Sequence, residues 1–298
     1  MSQHHNHSHT EDISGWRLAV TIALNFLITI AEIIGGIISG SLSLISDALH
    51  NFSDGIAVII SYIAIRLNKK PKDEKYTFGY KRAEIIAAVF NASILIGISL
   101  YLFFEAYNRF ANPEHVQGGL MTIVAAVGLV ANVIGTLLLK SGSKNNMNIR
   151  SAYLHLLSDA VSSFGVIIGG LFIYFYNIYW IDPLLTVIIS LYIIKESYAI
   201  VKEATEVLMM AAPNNVSIND LETELLKIDR IKNVHHVHLW QVKENDIHFE
   251  AHIFVDDQMI SKTEEILEEV EKLLHDKFEI GHVTLQFECS RCENGTLL

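Results

Sequence analysis

Long apolar stretches separated by short polar segments fill the first two thirds of the chain. They lie near residues 16–39, 43–67, 83–106, 118–140, 149–176 and 181–203. A helix crosses a bilayer core of about 30 Å with roughly 20 residues, and each of these stretches is long enough to do so. The pattern therefore predicts an all-α transmembrane domain of six helices over residues 16–205, preceded by a polar tail over residues 1–15.

The hydrophobic pattern changes at about residue 213, so a second domain is predicted over residues 206–298. Two amphipathic segments begin with the capping residues Ser217 and Ser261 and predict helices. Three segments in which apolar and polar residues alternate predict strands: NVHHVHLWQV, DIHFEAHIFV and HVTLQFEC. The order α-β-β-α-β indicates a compact α+β domain with a ferredoxin-like fold.

Composition and charge narrow the class of protein. Of the 298 residues, 51% are hydrophobic and 18% are charged, which is typical of a membrane protein. The formal net charge of −11 lies largely in the last hundred residues and excludes a basic nucleic-acid-binding surface. The two cysteines are too few for a disulfide framework and indicate a reducing compartment. No phosphate-binding loop motif occurs, so an ATP-driven pump is excluded, and we expect no enzyme.

The basic residues between the apolar stretches predict the orientation in the membrane. The connections after the second and fourth stretches contain Lys69, Lys70, Lys72, Lys75, Lys81, Arg82, Lys144 and Arg150. The other connections contain only Arg109. Because basic residues concentrate in cytoplasmic loops, both termini are predicted to be cytoplasmic. The first 15 residues lack the features of a cleaved signal, so the first apolar stretch is expected to remain.

Two of the apolar stretches carry ionisable side chains with the same spacing. The second contains His50 and Asp54, and the fifth contains His155 and Asp159. Residues four apart lie on one helix face, so each pair offers an imidazole nitrogen and a carboxylate oxygen to the same side. Two such helices facing each other could supply four ligands, and two His with two Asp in tetrahedral array suit zinc.

The charges of these side chains indicate how such a site would work. Two carboxylates neutralise a divalent cation at a depth where a net charge is costly. An empty site would take up protons as the metal leaves, which is the physical basis of antiport. Asp47 lies near the same face as His50 and Asp54. We expect Asp47 to support the ligands or to relay protons rather than to bind the metal.

Other polar residues of the apolar stretches have simpler interpretations. Asn25, Asn91 and Asn132 are expected to form hydrogen bonds between helices. Asp182 is expected to cap the N-terminus of the sixth helix. Glu32 lies deep in the first stretch, where it either belongs to a proton path or only pairs with a neighbour.

A second group of metal-binding side chains lies in the domain after residue 206. It contains the histidines His235, His236, His238, His248 and His252, together with a terminal C-x-x-C motif that supplies half of a tetrahedral site. The candidate ligands of a regulatory zinc ion are His236, His238, His252, Glu288, Cys289 and Cys292. Zinc bound here would draw two such domains together. The alternative is that the histidines lie on a solvated sheet face.

The polar tail carries histidines of its own. His4, His5, His7 and His9 form a composition that can capture metal loosely. An inert tail is the alternative interpretation.

Three segments resemble the signature sequences of the cation diffusion facilitator family: SLSLISDALHNFSDG, YTFGYKRAEIIAA and LHLLSDAVSSFGVIIGG. The resemblance implies six transmembrane helices, a cytoplasmic ferredoxin-like domain, a homodimer, and export of divalent metal from the cytoplasm in exchange for protons. It places the transport site at His50, Asp54, His155 and Asp159. A histidine at the first of these positions is similar to the zinc- and cadmium-exporting members.

We therefore expect a homodimeric zinc/proton antiporter that works by alternating access within a lipid bilayer, with cadmium and cobalt as further cargo. Zinc is expected as transported substrate and as regulatory ion, without an organic cofactor. The expected location is the bacterial inner membrane, with a vesicle membrane as the alternative. Two other functions stay open. A membrane-anchored metal sensor would not need His50 or Asp159, and a passive metal channel is disfavoured by a tight four-ligand site.

Overall fold

The computed structural model describes residues 8–68, 70–140, 147–243, 246–290 and 296–297. Six long helices come first: α1 (Ser8–Ser39), α2 (Leu42–Asn68), α3 (Ala83–Ala111), α4 (Gly118–Leu139), α5 (Met147–Tyr176) and α6 (Ile181–Leu208). Five shorter elements follow: α7 (Ile218–Leu225), β1 (Asn233–Lys243), β2 (Asp246–Phe254), α8 (Ile260–Phe278) and β3 (His282–Glu288). This order matches the predicted succession of helices and strands.

Four helices in the described part of the chain are long and apolar enough to cross a membrane. They are α3, α4, α6 and the part of α5 over Tyr153–Tyr176. α1 contributes a shorter apolar stretch over Asn25–Ser39. Large apolar side chains on these helices, such as Phe90 and Val161, are exposed, as expected of surfaces that face lipid. The count of six transmembrane helices stays a prediction.

The first of two compact units lies within Met1–Tyr62 and Phe90–Ile200, and its described elements are helices. α4 packs against both α1 and α5. Small residues allow the close approach, because a Cβ atom added to Gly118 would lie 2.6 Å from the backbone oxygen of Gly170. On α2, a polar face points into the unit and includes the buried residues Ser46, Asp47 and Asn51.

The N-terminus of α2 is fixed by a residue from the start of α6. The buried carboxylate of Asp182 accepts hydrogen bonds from the backbone N–H groups of Leu42 (2.9 Å) and Ser43 (3.2 Å) and from the hydroxyl of Ser41 (2.6 Å). Asp182 therefore caps α2, whereas the sequence suggested a cap for α6. Helix α6 already begins at Ile181, so Asp182 lies within its first turn.

The second unit lies within Ile63–Val89 and Val201–Leu298 and contains a three-stranded sheet in the order β1-β2-β3. β1 and β2 are antiparallel, and β2 and β3 are parallel. α8 places Ile266, Val270 and Leu274 four residues apart on one face, where all three are fully buried against the apolar core of the sheet. The domain is thus a helical layer on a small sheet.

A β-bulge interrupts β1 and determines where its histidines lie. His235 pairs with His252, and the next residue in register, His238, pairs with Glu250. In a regular strand, residues three apart point to opposite faces, but the extra residue of the bulge brings His235 and His238 to the same face. His236, within the bulge, has a φ of 52° in the left-handed region, which is uncommon outside glycine.

The connection between α2 and α3 lies against the sheet within the second unit. Lys81 forms an ion pair with Asp246 at 2.5 Å, and the ring of Phe78 meets that of His248 edge-on at 5.7 Å between centroids. His248 also stacks on Trp240 at 5.5 Å. A salt bridge and an aromatic contact therefore hold this connection on β2.

Candidate metal centre

The two His-x-x-x-Asp pairs meet between α2 and α5. Nε2 of His155 lies 3.3 Å from Oδ2 of Asp54 and 3.5 Å from Oδ2 of Asp159. Nε2 of His50 lies 3.7 Å from the same Asp54 oxygen. Tetrahedral zinc with bonds of 2.0–2.1 Å separates neighbouring ligand atoms by about 3.3 Å. Ligand atoms of His50, His155 and Asp159 all lie within 4.8 Å of one another, and Asp54 contacts both histidines, so the spacing approaches what one zinc ion requires.

The polar atoms at this meeting point have no hydrogen-bond partner among the described residues. They are Nδ1 of His50, Oδ2 of Asp54, Nε2 of His155 and Oδ2 of Asp159. Asp159 is the most enclosed of the four residues, with 2% of its surface exposed. Buried donors and acceptors are rarely left unpaired, because each costs about 1–3 kcal/mol. A cation bound among them would satisfy Oδ2 of Asp54, Nε2 of His155 and Oδ2 of Asp159, whereas His50 faces Asp54 through Nε2 and not through the unpaired Nδ1.

Asp47 lies beside the cluster but is already engaged. Its carboxylate accepts hydrogen bonds from the hydroxyls of Ser162 (2.5 Å) and Ser163 (3.4 Å) on α5. It thus links the two ligand-bearing helices independently of the four side chains. This arrangement agrees with the expectation of a supporting residue, which stays a prediction.

A cavity of about 310 Å³ opens beside the cluster towards α6. Its polar wall includes His50, Asp159 and Ser158, and its apolar wall includes Ile188. The hydroxyls of Tyr192 on α6 and Ser158 on α5 lie within hydrogen-bonding distance at 3.2 Å, and the Tyr192 ring meets His50 edge-on at 6.2 Å between centroids. Tyr192 therefore contacts both the cavity wall and a candidate ligand, a role that its place in an apolar helix did not reveal.

A second cluster lies at one end of the sheet in the second unit. Nε2 of His235 is 3.3 Å from Oε2 of Glu288, and Nδ1 of His252 is 3.2 Å from Oε1 of the same residue. Burial raises the pKa of Glu288, but the hydrogen bond from Gln286 and the nearby imidazoles of His252 and His235 together hold it below the ordinary value. The ligand atoms of His235, His252 and Glu288 lie within 4.8 Å of one another, as in a partial metal site.

Among the described residues, the other candidate ligands of this domain do not belong to the cluster of His235, His252 and Glu288. The ring of His236 is 4.7 Å from that of His252 and 4.8 Å from that of His238, and Cys289 is exposed. Cys292 falls outside the described residues. The bulge in β1 explains why His235 joins the cluster, and strand alternation read from sequence cannot locate a bulge.

The structure does not describe the side chains of the tail histidines. His4, His5 and His7 lie outside the described residues, and the side chain of His9 is not described.

Two family profiles together match most of the chain. Residues 18–209 match the profile described as the cation efflux transmembrane domain. Residues 213–290 match the profile described as the cytoplasmic domain of cation efflux proteins, which carries the short name ZT_dimer.

Several bacterial transporters are similar to the chain over nearly its full length. The metal cation efflux system protein CzcD of Cupriavidus metallidurans is 37% identical over 288 residues, covering 96% of this chain and 91% of that protein. The cadmium, cobalt and zinc/H(+)-K(+) antiporter of Bacillus subtilis is 38% identical over 285 residues, covering 95% of this chain and 91% of that protein. The zinc transporter ZitB of Escherichia coli is 33% identical over 297 residues, covering 97% of this chain and 93% of that protein.

The solved structures that are similar to part of the chain include one domain of a relative. It is the metal-bound C-terminal domain of the CzcD transporter from Cupriavidus metallidurans, at 32% identity with a TM-score of 0.23, covering 24% of this chain and 99% of that one.

Proposed function

The chain belongs to the cation diffusion facilitator family of metal cation efflux proteins, and on that premise we propose that it exports zinc from the cytoplasm in exchange for protons. The observation that carries the proposal is the convergence of two imidazoles and two carboxylates from α2 and α5, with neighbouring atoms 3.3–3.7 Å apart. The proposed ligands are His50, Asp54, His155 and Asp159. The proposed architecture comprises six transmembrane helices, a ferredoxin-like cytoplasmic domain, cytoplasmic termini and a homodimer in the bacterial inner membrane.

The donor set favours zinc over the hard divalent cations. Imidazole nitrogens together with carboxylate oxygens suit zinc, whereas magnesium and calcium take shells of oxygen. Cadmium and cobalt accept the same donors, and both metals occur with zinc in the name of the Bacillus subtilis relative. We therefore include them as alternative cargo.

Proton exchange follows from the charge of the cluster. Two carboxylates balance the charge of one divalent ion, so the loaded site is close to neutral. When the ion leaves, Asp54 and Asp159 face each other across His155, and a bare charge is most costly on Asp159, whose side chain is 2% exposed, against 33% for Asp54. Protons from the far side of the membrane would neutralise them, and incoming zinc would displace those protons into the cytoplasm.

The cavity beside α6 supplies a route to the ligands. It contacts His50 and Asp159 directly, so an ion that enters it needs to cross no packed layer to reach them. In alternating access, α2 and α5 would move relative to α6 to close this cavity and to open another on the opposite side.

The decisive experiment records zinc and proton movement in vesicles reconstituted with the purified protein. Trapped dyes report both ions for the wild type, for Asp159→Asn and for Asp229→Asn, whose exposed carboxylate in the cytoplasmic domain serves as a matched control. The wild type and the control should couple zinc entry to proton exit, and Asp159→Asn should move neither ion. Zinc movement without protons in the wild type would indicate a channel.

A second role is proposed for the cytoplasmic cluster, on the evidence of the contacts of Glu288 with His235 and His252. Zinc bound there would regulate transport by drawing the domains of two protomers together. If the protein were only a sensor, vesicles would show no zinc transport, Asp159→Asn would leave its response to zinc unchanged, and the cytoplasmic domain would still bind the metal.

A further inference from the structure

Glu32 is a buried carboxylate in α1 that takes no part in the metal cluster. None of its surface is exposed. Oε2 accepts a hydrogen bond from the side-chain amide of Asn51 on α2 at 3.2 Å, but Oε1 has no partner among the described residues. An ionised carboxylate so enclosed would be costly, whereas a protonated one is tolerated.

The helix that faces Glu32 makes room for its unpaired oxygen. A Cβ atom on Gly128 of α4 would lie 2.3 Å from Oε1 of Glu32, so the carboxyl group would have to move if this position were not glycine. α4 contains no ionisable residue. The charged groups that act on Glu32 come instead from α2 and α5, as Asp47 and Asp159.

Polar side chains continue from Glu32 towards one end of the α1–α4 pair. The two helices run in opposite directions, because the N–H of Gln117 donates to the carbonyl of Ser39 at one end and Gly128 faces Glu32 further along. Asn132, one turn beyond Gly128, therefore lies on the side of Glu32 that leads to the N-terminal end of α1. Both polar side-chain atoms of Asn132 are buried without a described partner.

On the same side, Asn25 lies seven residues before Glu32 and hence near the same face of α1. The side-chain oxygen of Asn25 is likewise unpaired among the described residues. Asn25 and Asn132 thus offer unused hydrogen-bonding groups between Glu32 and the end of α1 that the proposed topology places in the cytoplasm. Water molecules between them would carry a proton along this path.

We propose that Glu32 is a proton-binding site of the transport cycle, separate from the metal ligands and linked to them through Asn51. The inference rests on the proposed zinc/proton exchange. Zinc arriving at the ligands compensates the charge of Asp159 and thereby favours the ionised form of Glu32. The proton on the Glu32 carboxyl then leaves past Asn132 and Asn25 to water in the cytoplasm, and a new proton binds after zinc has been released.

The test counts the protons that the full-length protein releases when it binds zinc. Zinc is titrated calorimetrically into purified protein in two buffers of different ionisation enthalpy, for the wild type, Glu32→Gln and Glu105→Gln. Glu105 is the matched control, because it is a partly exposed glutamate on α3 that pairs with Arg109. Glu32→Gln should still bind zinc but release about one proton fewer per zinc ion, and the control should match the wild type.

The result tests the inference on Glu32 and the proposed zinc/proton exchange separately. If the wild type releases protons and Glu32→Gln releases the same number, the inference on Glu32 is wrong and the exchange mechanism stands. If the wild type binds zinc without releasing protons, the exchange mechanism itself fails.

A variant that keeps Glu32 covers the case in which Glu32→Gln does not fold. Asn51→Leu removes the donor to Oε2 and should shift proton release to higher pH, because the ionised form of Glu32 loses its hydrogen bond. An unshifted release in Asn51→Leu would overturn the proposal.

Discussion

The hydroxyl of Ser162 donates a hydrogen bond of 2.5 Å to Oδ1 of Asp47, which links α5 to α2 beside the metal cluster. Asp47 precedes His50 by three residues, and Ser162 follows Asp159 by three, so the bond lies about one turn from the proposed ligands on each helix. It holds the two helices in register without the help of a metal ion.

Removing this hydrogen bond should weaken zinc binding without removing a ligand. In Ser162→Ala, Asp47 keeps only the longer bond from Ser163, and α2 is less well held against α5. We expect about tenfold lower zinc affinity in calorimetry, as is typical when a residue that supports metal ligands is lost. Ser99→Ala, at a buried serine of α3 outside the cavity, is the control and should bind as the wild type does.

Tyr192 should control which metal is transported. Tyr192→Ala removes the ring that packs against His50 and widens the cavity, so His50 is less restricted and larger ions are better accepted. The ratio of zinc to cadmium transport in vesicles should fall several-fold. Tyr192→Phe retains the ring and loses only the contact with Ser158, so its ratio should stay near that of the wild type. Equal ratios in Tyr192→Ala and the wild type would contradict this role.

The cap that Asp182 forms on α2 should matter for stability. Asp182→Asn keeps the shape but loses the charge and one acceptor oxygen, so it cannot accept from both the hydroxyl of Ser41 and the N–H of Leu42, which bind different oxygens of Asp182. We expect a loss of about 2 kcal/mol, measured as a lower thermal midpoint in detergent. Glu114→Gln, which breaks an exposed ion pair with Arg109, should change stability by less than about 1 kcal/mol.

The contact between the α2–α3 connection and the sheet should depend on pH through His248. Only 5% of the surface of His248 is exposed, and this burial lowers its pKa from the ordinary 6.5. The carboxylate of Asp246, 3.6 Å away, acts in the opposite direction but does not cancel the effect of burial. The charges of His282 and Lys81 also lower this pKa. Below pH 6.5 the unfolded chain therefore binds more protons at this position than the folded protein does.

This difference in proton binding sets the direction of the effect. The stability that neutral His248 contributes should be complete above pH 6.5 and should decrease as the pH falls below that value. Thermal midpoints across this range should fall less steeply for His248→Gln than for the wild type. The pKa values of Glu224 and Glu288 are lowered from 4.5, so these groups titrate at more acidic pH and do not account for the change. Parallel pH profiles for the variant and the wild type would refute the prediction.

The cytoplasmic cluster predicts a difference between two histidines on the same face of β1. His235→Ala removes a partner of Glu288 and should abolish about one zinc equivalent per chain in titrations of the full-length protein. His238→Ala should leave the number of bound ions unchanged, because His238 pairs with Glu250 and lies outside the cluster. Loss of zinc in both variants would favour a broader site.

Local patterns in the sequence predicted the order of the helices and strands and the spacing of the two His-x-x-x-Asp pairs, whereas the metal-binding role of those pairs stays a prediction. The spacing of His50 and Asp54, repeated in His155 and Asp159, is a property of one helix turn and can be read directly. The order of the helices and strands after residue 213 follows equally from periodicity.

Contacts between residues far apart in the sequence could not be predicted from such local patterns. Asp182 caps a helix that begins 140 residues earlier, and no local signal separates this partner from the start of its own helix. The bulge in β1 changes which histidine meets Glu288, and it depends on pairing with β2 rather than on the sequence of β1 alone. The place of Glu32 against Gly128 depends likewise on how α1 and α4 cross.

The cap that Asp182 forms holds the first turn of α2 in place, so a tilt of this helix would turn about its capped end. His50 and Asp54 lie eight and twelve residues beyond Leu42, or about 12 and 18 Å along the axis at 1.5 Å per residue. A tilt of about 10° around the capped end would move His50 and Asp54 sideways by roughly 2 and 3 Å, as much as the length of a zinc–ligand bond. A small rotation at the capped end is thus enough to make or break the metal's coordination.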